Sequence, residues 1–170
     1  IILNGGTTVS GDAITTTLGD HQSLTLQNLE NADSTSTSLT SGGMIIGQAA
    51  TVSSLDLKTD QVGKTSSITE KHFLIDIMGS GITHLNIEND NASSLIFSNS
   101  GGALTSINLE GEGSISLDKL PSEVTKLEAA NAAADIDLEV IGPETIVSTG
   151  SGNDRVRLGN GTDQAITRDG

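Results

Sequence analysis

The sequence predicts an all-β fold, a parallel β-solenoid with two short strands in each coil of about 20 residues, and three observations predict it. Apolar–polar–apolar triplets recur along the chain: Leu55-Asp56-Leu57, Ile75-Asp76-Ile77, Leu85-Asn86-Ile87, Ile107-Asn108-Leu109, Ile115-Ser116-Leu117, Ile136-Asp137-Leu138 and Val156-Arg157-Leu158. Alternation with a period of two means short strands with one face buried and the middle residue turned out. The intervals have turn composition, as in Asn89-Asp90-Asn91, Ser100-Gly101-Gly102 and Gly111-Glu112-Gly113, rich in the residues that tolerate tight backbone bends. Alternate triplets also fall into two series, one at 75, 95, 115, 136 and 156, the other at 85, 107, 127 and 146–147.

A coil of this kind cannot bury its own apolar edge, and stacking lines its Ile, Leu and Val residues into two facing inner columns. The reading therefore places Leu85, Leu95, Ile107, Ile115, Leu127, Ile136, Val147 and Val156 inside. It turns two columns outward, Asp56, Asn86, Asn108 and Glu128 on one sheet and Asp76, Ile96, Ser116 and Asp137 on the other. Roughly eight coils at about 4.8 Å make a rod of about 40 Å. Residues 73–148 keep the step, and residues 149–166 end the series. Residues 1–72 read as irregular coils, because Leu24-Thr25-Leu26 and Met44-Ile45-Ile46 give strands but Asn31 to Thr40 and Gln61 to His72 are long polar intervals.

Composition agrees. The 170 residues include no Trp, Tyr or Cys and only Phe73 and Phe97, against 41 Ser and Thr and 20 Gly; a thin solenoid core has little room for aromatic volume. With 22 acidic and 8 basic side chains the formal charge is −14, which excludes the basic footprint that nucleic acid requires and disfavours anionic membrane surfaces. No segment reaches the roughly 18 apolar residues of a membrane span. The chain starts at Ile1 without a signal-like segment, so it reads as a fragment of a longer polypeptide. His21, His72 and His84 are far apart in the repeat and read as surface residues.

The sharpest chemistry lies near the end. Gly150, Gly152 and Asp154 recur nine residues later as Gly159, Gly161 and Asp163. Glycines let the backbone turn carbonyls toward an ion, and the aspartate adds the charged oxygen that a hard Ca²⁺ prefers. The tandem resembles the calcium-binding nonapeptide G-G-x-G-x-D-x-U-x of RTX (repeats-in-toxin) proteins, with Thr149 and Leu158 where the first glycine stands. The wider pattern over residues 82–166, with Leu104 to Pro121, Val124 to Ala129 and Val147 to Asp154, resembles large bacterial S-layer and RTX surface proteins.

That resemblance implies a secreted, calcium-stiffened β-solenoid at the cell surface. In that family each ion lies between a turn and the turn one coil away, so each nonapeptide here supplies half a site, with Glu112 and Asp135 as further candidate ligands. The expected function is a structural segment of a surface array that associates with copies of itself or with neighbouring domains of the parent chain. The alternatives are a spacer or binding module of an RTX adhesin or toxin, and an accessory calcium module of a secreted enzyme. A plain pair of glycine turns without metal is the alternative for the site. Catalysis is not expected: Lys58, Lys64, Lys71, Lys119, Lys126, Arg155, Arg157 and Arg168 are scattered, and the chain has no aromatic sugar platform, Ser-His-Asp spacing, His-rich metal motif or phosphate loop.

Overall fold

Among the described residues, successive strands do not pair with one another; each pairs with the strand one coil away, and every pairing is parallel. The structure, a computed structural model, describes residues 1–4, 8–9, 14–18, 22–31, 44–48, 52–63 and 72–168. Among them there is no helix. The first two coils visit three sheets in turn, through β1 (Ile2–Asn4), β2 (Thr8–Val9), β3 (Ile14–Leu18), β4 (Ser23–Gln27), β5 (Glu30–Asn31) and β6 (Met44–Gln48).

From there the chain alternates between two sheets. The strands are β7 (Ser54–Asp60), β8 (Phe73–Ile77), β9 (His84–Asn89), β10 (Ser93–Ser98), β11 (Ser106–Gly111), β12 (Ile115–Leu117), β13 (Lys126–Ala132), β14 (Ile136–Glu139), β15 (Ile146–Ser148), β16 (Arg155–Arg157) and β17 (Gln164–Ile166). The result is an eight-stranded sheet ordered β1-β4-β7-β9-β11-β13-β15-β17, a seven-stranded sheet ordered β3-β6-β8-β10-β12-β14-β16, and the small pair β2-β5. This is the parallel β-solenoid that the triplets predict.

Coil length is not constant. Thr25 lies beside Lys58 and Leu55 beside Leu85, so the coils between β4 and β9 are the longest, whereas Ile2 already lies beside Thr25 in the first. Thr83 and Ser53, bonded across one of them, stand 30 positions apart. The equivalent spacing is 22 between Thr83 and Thr105, 20 between Thr105 and Thr125, and 18 between Ile136 and Asp154. The even step expected at 75, 95 and 115 is corrected by the register. Ile75 pairs with Phe97 instead of Leu95, and Leu95 with Leu117 instead of Ile115. A slide of two places keeps every side chain on its face, so alternation alone cannot detect it. The last step is shorter than expected, since Val156 pairs with Leu138 and not with Ile136.

The inner faces of both sheets merge into one apolar cluster. Leu85, Leu95, Ile107, Leu127 and Val147 are fully inaccessible, and Ile115 and Ile136 nearly so. Val156 is only partly buried, because β16 ends its sheet and has a neighbour on one side. The outward column Asp56, Asn86, Asn108, Glu128 is in register. The second predicted column is not. Asp76 pairs with Ser98 and Ile96 with Leu74, while Ser116 and Asp137 line up between Ser94 and Arg155. Asp76 is not outward in effect either, being 2% exposed with its Oδ1 accepting from the Ser100 N–H at 3.0 Å. Leu74, on the same outer face, is also buried.

Candidate metal centre

The turns between the two sheets stack into corner columns, and the chemistry of each column changes along the rod. In the column entering the eight-stranded sheet stand Ser53, Thr83, Thr105, Thr125, Thr145 and Asp163, each just before the first residues paired in β7, β9, β11, β13, β15 and β17. The hydroxyls hook the coil beneath. Thr83 Oγ1 donates to the Ser53 carbonyl at 3.2 Å, Thr105 Oγ1 to the Thr83 carbonyl at 3.3 Å, and Thr125 Oγ1 to the Thr105 carbonyl at 3.4 Å. Thr145 Oγ1 donates to the Val124 carbonyl at 3.0 Å. At the top, Asp163 Oδ1 accepts from the Thr145 N–H at 2.8 Å. Asp163 thus ends a hydroxyl ladder, which the sequence reading misses although Thr83, Thr105, Thr125 and Thr145 repeat with the strands.

The column leaving that sheet runs through Thr59, Asn89, Gly111, Ala132 and Gly150. Asn89 is 1% exposed. Its Oδ1 accepts from Thr59 Oγ1 of the coil below at 2.9 Å, and its Nδ2 donates to the Gly113 and Ser114 carbonyls of the coil above at 2.7 and 3.2 Å. One carboxamide therefore ties three coils at this corner. Gly111 has a φ of +118°, and a Cβ there would run into the Asn89 carbonyl, so glycine is required where the chain crosses over the asparagine.

The two glycine-aspartate turns occupy different columns. Residues 149–154 carry the chain from β15 to β16, and residues 158–163 carry it back to β17. Each lies on the corresponding turn of the coil below. Asp154 Oδ1 accepts from the Ile136 N–H at 3.1 Å, as Asp163 Oδ1 does from Thr145. Gly152 and Gly161 have φ of +150° and +153°; a Cβ on Gly152 would come within 2.8 Å of the Ala134 carbonyl oxygen, and one on Gly161 would overlap that of Pro143. Gly150 and Gly159 likewise crowd the Ala132 and Val140 carbonyls.

The other carboxylate oxygens are the unusual feature. Asp154 Oδ2 and Asp163 Oδ2 are out of contact with solvent and have no hydrogen-bond partner, and Thr149 Oγ1, at the head of the first turn, shares that condition. Leaving a buried polar oxygen unmatched costs on the order of 1–3 kcal/mol, more when charged, so each turn holds an oxygen that a cation would satisfy. In kind these residues fit a hard ion. Each corner pairs a carboxylate with close-packed backbone carbonyls, while six to eight oxygens is the usual Ca²⁺ complement. The aspartates would hold the ion, the glycines would let the backbone approach it, and the ion would supply positive charge that joins coils.

Of the two further candidates, Asp135 is engaged with its neighbour, its Oδ1 accepting from the Asn153 N–H at 2.9 Å. Glu112 is exposed in the turn of the same column. Among the described residues no three His, Asp or Glu side chains converge as a preformed cage. Ion pairs lie on the outer faces of the coils. Arg157 lies 2.9 Å from Asp137 Oδ1 and 3.8 Å from Glu139 Oε2, joining the last two coils of its sheet. Lys58 lies 3.0 Å from both Asp90 and Glu88, whose hydrogen bonds, that of Asp90 first, hold its ammonium above the ordinary 10.5. His84 is exposed, and His72 is half-buried, its Nδ1 2.6 Å from Ser94 Oγ; His21 lies outside the described residues. Comparison with known proteins returns no match to a family model, to a curated protein or to a solved structure.

Proposed function

We propose that this chain is a structural segment of a secreted bacterial surface protein of the S-layer kind, a β-solenoid whose C-terminal coils take up Ca²⁺ and which assembles with copies of itself or with neighbouring domains of its parent. It is a building unit and carries no catalysis. The observation that carries the reading is the recurrence of one arrangement at two corners: a glycine pair pressed on the coil below, and an aspartate with one oxygen bonded down and the other buried without a partner. A net charge of −14 works against compactness, and bound cations relieve it.

Assembly draws support from the sheet edges. Among the described residues β16 and β17 each pair on one side only, and such edges accept a further strand, whether from the parent chain or from a copy. Melting followed by circular dichroism in millimolar Ca²⁺ and in excess chelator, with sedimentation under both conditions, tests both parts. A calcium-raised melting temperature and calcium-dependent association are expected. Equal melting in calcium and chelator removes the metal part of the reading, and a strict monomer at high concentration with calcium removes the assembly part.

A further inference from the structure

The two glycine-aspartate corners differ at their first residue. The first turn opens on Thr149, which is 1% exposed, and the second, nine residues later, on Leu158, which is 44% exposed. The Thr149 backbone N–H is held at 2.9 Å by the Ile166 carbonyl of the next coil, so its backbone needs no help from its side chain. Its hydroxyl nevertheless lies buried with neither donor nor acceptor, in the same turn as the unpaired Asp154 Oδ2. The other buried threonines among the described residues do not leave theirs unused. The buried Thr59 and Thr145 hydroxyls both donate at good distance, and a buried hydroxyl without a partner points to a missing one. Two unpaired buried oxygens at the two ends of one short turn are what a bound cation satisfies together.

Resting on the calcium reading above, we propose that Thr149 Oγ1 is a ligand of the ion at the first corner, completing a set that includes Asp154 Oδ2. The second corner, with Leu158 in the equivalent place, has one oxygen fewer. The two sites are then unequal. The Thr149–Asp154 corner fills first, and the Leu158–Asp163 corner follows at higher calcium.

The test is calcium titration of the full chain by calorimetry, with melting in chelator as a check on folding. Thr149→Val removes the oxygen and keeps the shape, and Thr149→Ser keeps the oxygen. For the wild type, two binding steps are expected. In Thr149→Val the tighter step should weaken about tenfold, the effect of losing one ligand contact, while melting in chelator is unchanged or higher because an unpaired hydroxyl has been removed. Thr149→Ser should restore the tight step. Asp163→Asn should abolish only the weaker step, which identifies the corner to which each belongs.

If the wild type binds calcium and Thr149→Val binds it equally well, the ligand assignment is wrong and the calcium reading stands. If the wild type itself neither binds nor responds, both fall. Thr149→Ala covers the case in which valine does not fit, and unchanged affinity in that variant overturns the assignment in the same way.

Discussion

Replacing Asn89 with alanine should cost about the same in calcium as in chelator, and the structure says how much. The substitution removes three hydrogen bonds. It strips the acceptor from the Thr59 hydroxyl, which is fully buried, and the side-chain donor from the Gly113 carbonyl. The Ser114 carbonyl keeps a partner, since it also accepts from the Ser93 N–H at 3.0 Å. Two groups are thus left unmatched, at about 1–3 kcal/mol each, and the small cavity adds to that, for a total of roughly 3–5 kcal/mol. In a chain of this size each kcal/mol shifts melting by about 2–4 °C, so a fall of about 10 °C is expected. Thermal melting by circular dichroism reads it, in millimolar Ca²⁺ and again in chelator. The drop should be equal in both, because a carboxamide closes this corner and no ion is involved. A shift under 2 °C, or one that appears only with calcium, refutes the assignment of Asn89 as the clamp.

Asp154→Asn and Asp163→Asn should behave in the opposite way, each cutting the calcium-linked rise in melting temperature with little change in chelator. The full rise corresponds to about 2.7 kcal/mol when calcium is a hundredfold above Kd. In hydrogen exchange with chelator, the amides of β15 to β17 should lose protection while those of β9 and β11 keep it; uniform loss would contradict a metal requirement confined to the end. Gly161→Ala should destabilise strongly, since the added Cβ meets the Pro143 carbonyl at a φ of +153°, and a neutral effect on melting would show that this turn is not packed as described. Arg157→Met removes an ion pair whose members are 39% exposed, so the loss should stay below about 1 kcal/mol and shrink in salt. Lys58 has its ionised form favoured in the fold, so its contribution is present at neutral pH and is lost as pH rises past about 10.5; Lys58→Met should flatten that alkaline decline.

Much of the fold is legible in the sequence because burial in a solenoid repeats the same decision at every coil. Leu85, Ile107, Leu127 and Val147 announce one column, and Asp56, Asn86, Asn108 and Glu128 the face opposite, and the register keeps both. The seven-stranded sheet is harder. Leu95 and Phe97 are interchangeable in the pattern, and only the pairing of Phe73 with Leu95 fixes which residue stands over which. Asp137 shows another limit. As an outward residue it reads as simply solvated, yet it meets Arg157 of the next coil diagonally, because the shortened last step sets Arg155 directly beside it and Arg157 beside Glu139. At the site, the spacing of Gly150, Gly152 and Asp154 against Gly159, Gly161 and Asp163 is plain. That the two turns lie in separate columns follows from a nine-residue step inside a coil of about 20; which backbone N–H each aspartate accepts from, that of Ile136 or of Thr145, does not, because it depends on the register of the coil below.

The shortening of the coils explains why the corners change chemistry where they do. The coil containing β9 and β10 buries Leu85, Ile87, Leu95 and Phe97, whereas the one containing β15 and β16 contributes Val147 and the partly buried Val156. Two fewer large side chains forfeit roughly 3–6 kcal/mol. Coils that shrink from the Thr83–Thr105 spacing of 22 to the Ile136–Asp154 spacing of 18 are spared about 4–8 kcal/mol of backbone ordering, so these two effects nearly cancel. What remains against the last coil is the conformational freedom lost by Gly150, Gly152, Gly159 and Gly161, about 0.5–1 kcal/mol each, together with the carboxylate oxygens left unmatched at Asp154 and Asp163. None of those glycines can be exchanged for a stiffer residue, because a Cβ at each would strike a carbonyl of the coil below. At about 2–4 kcal/mol for the glycines and about 1–3 kcal/mol for each unmatched oxygen, the deficit is about 4–10 kcal/mol, a range that two bound cations at about 2.7 kcal/mol each fall within. In the longer coils Asn89 and the threonine ladder close the same two columns with side chains that find protein partners, and the short coils put in those places glycine and an aspartate with an oxygen still unmatched.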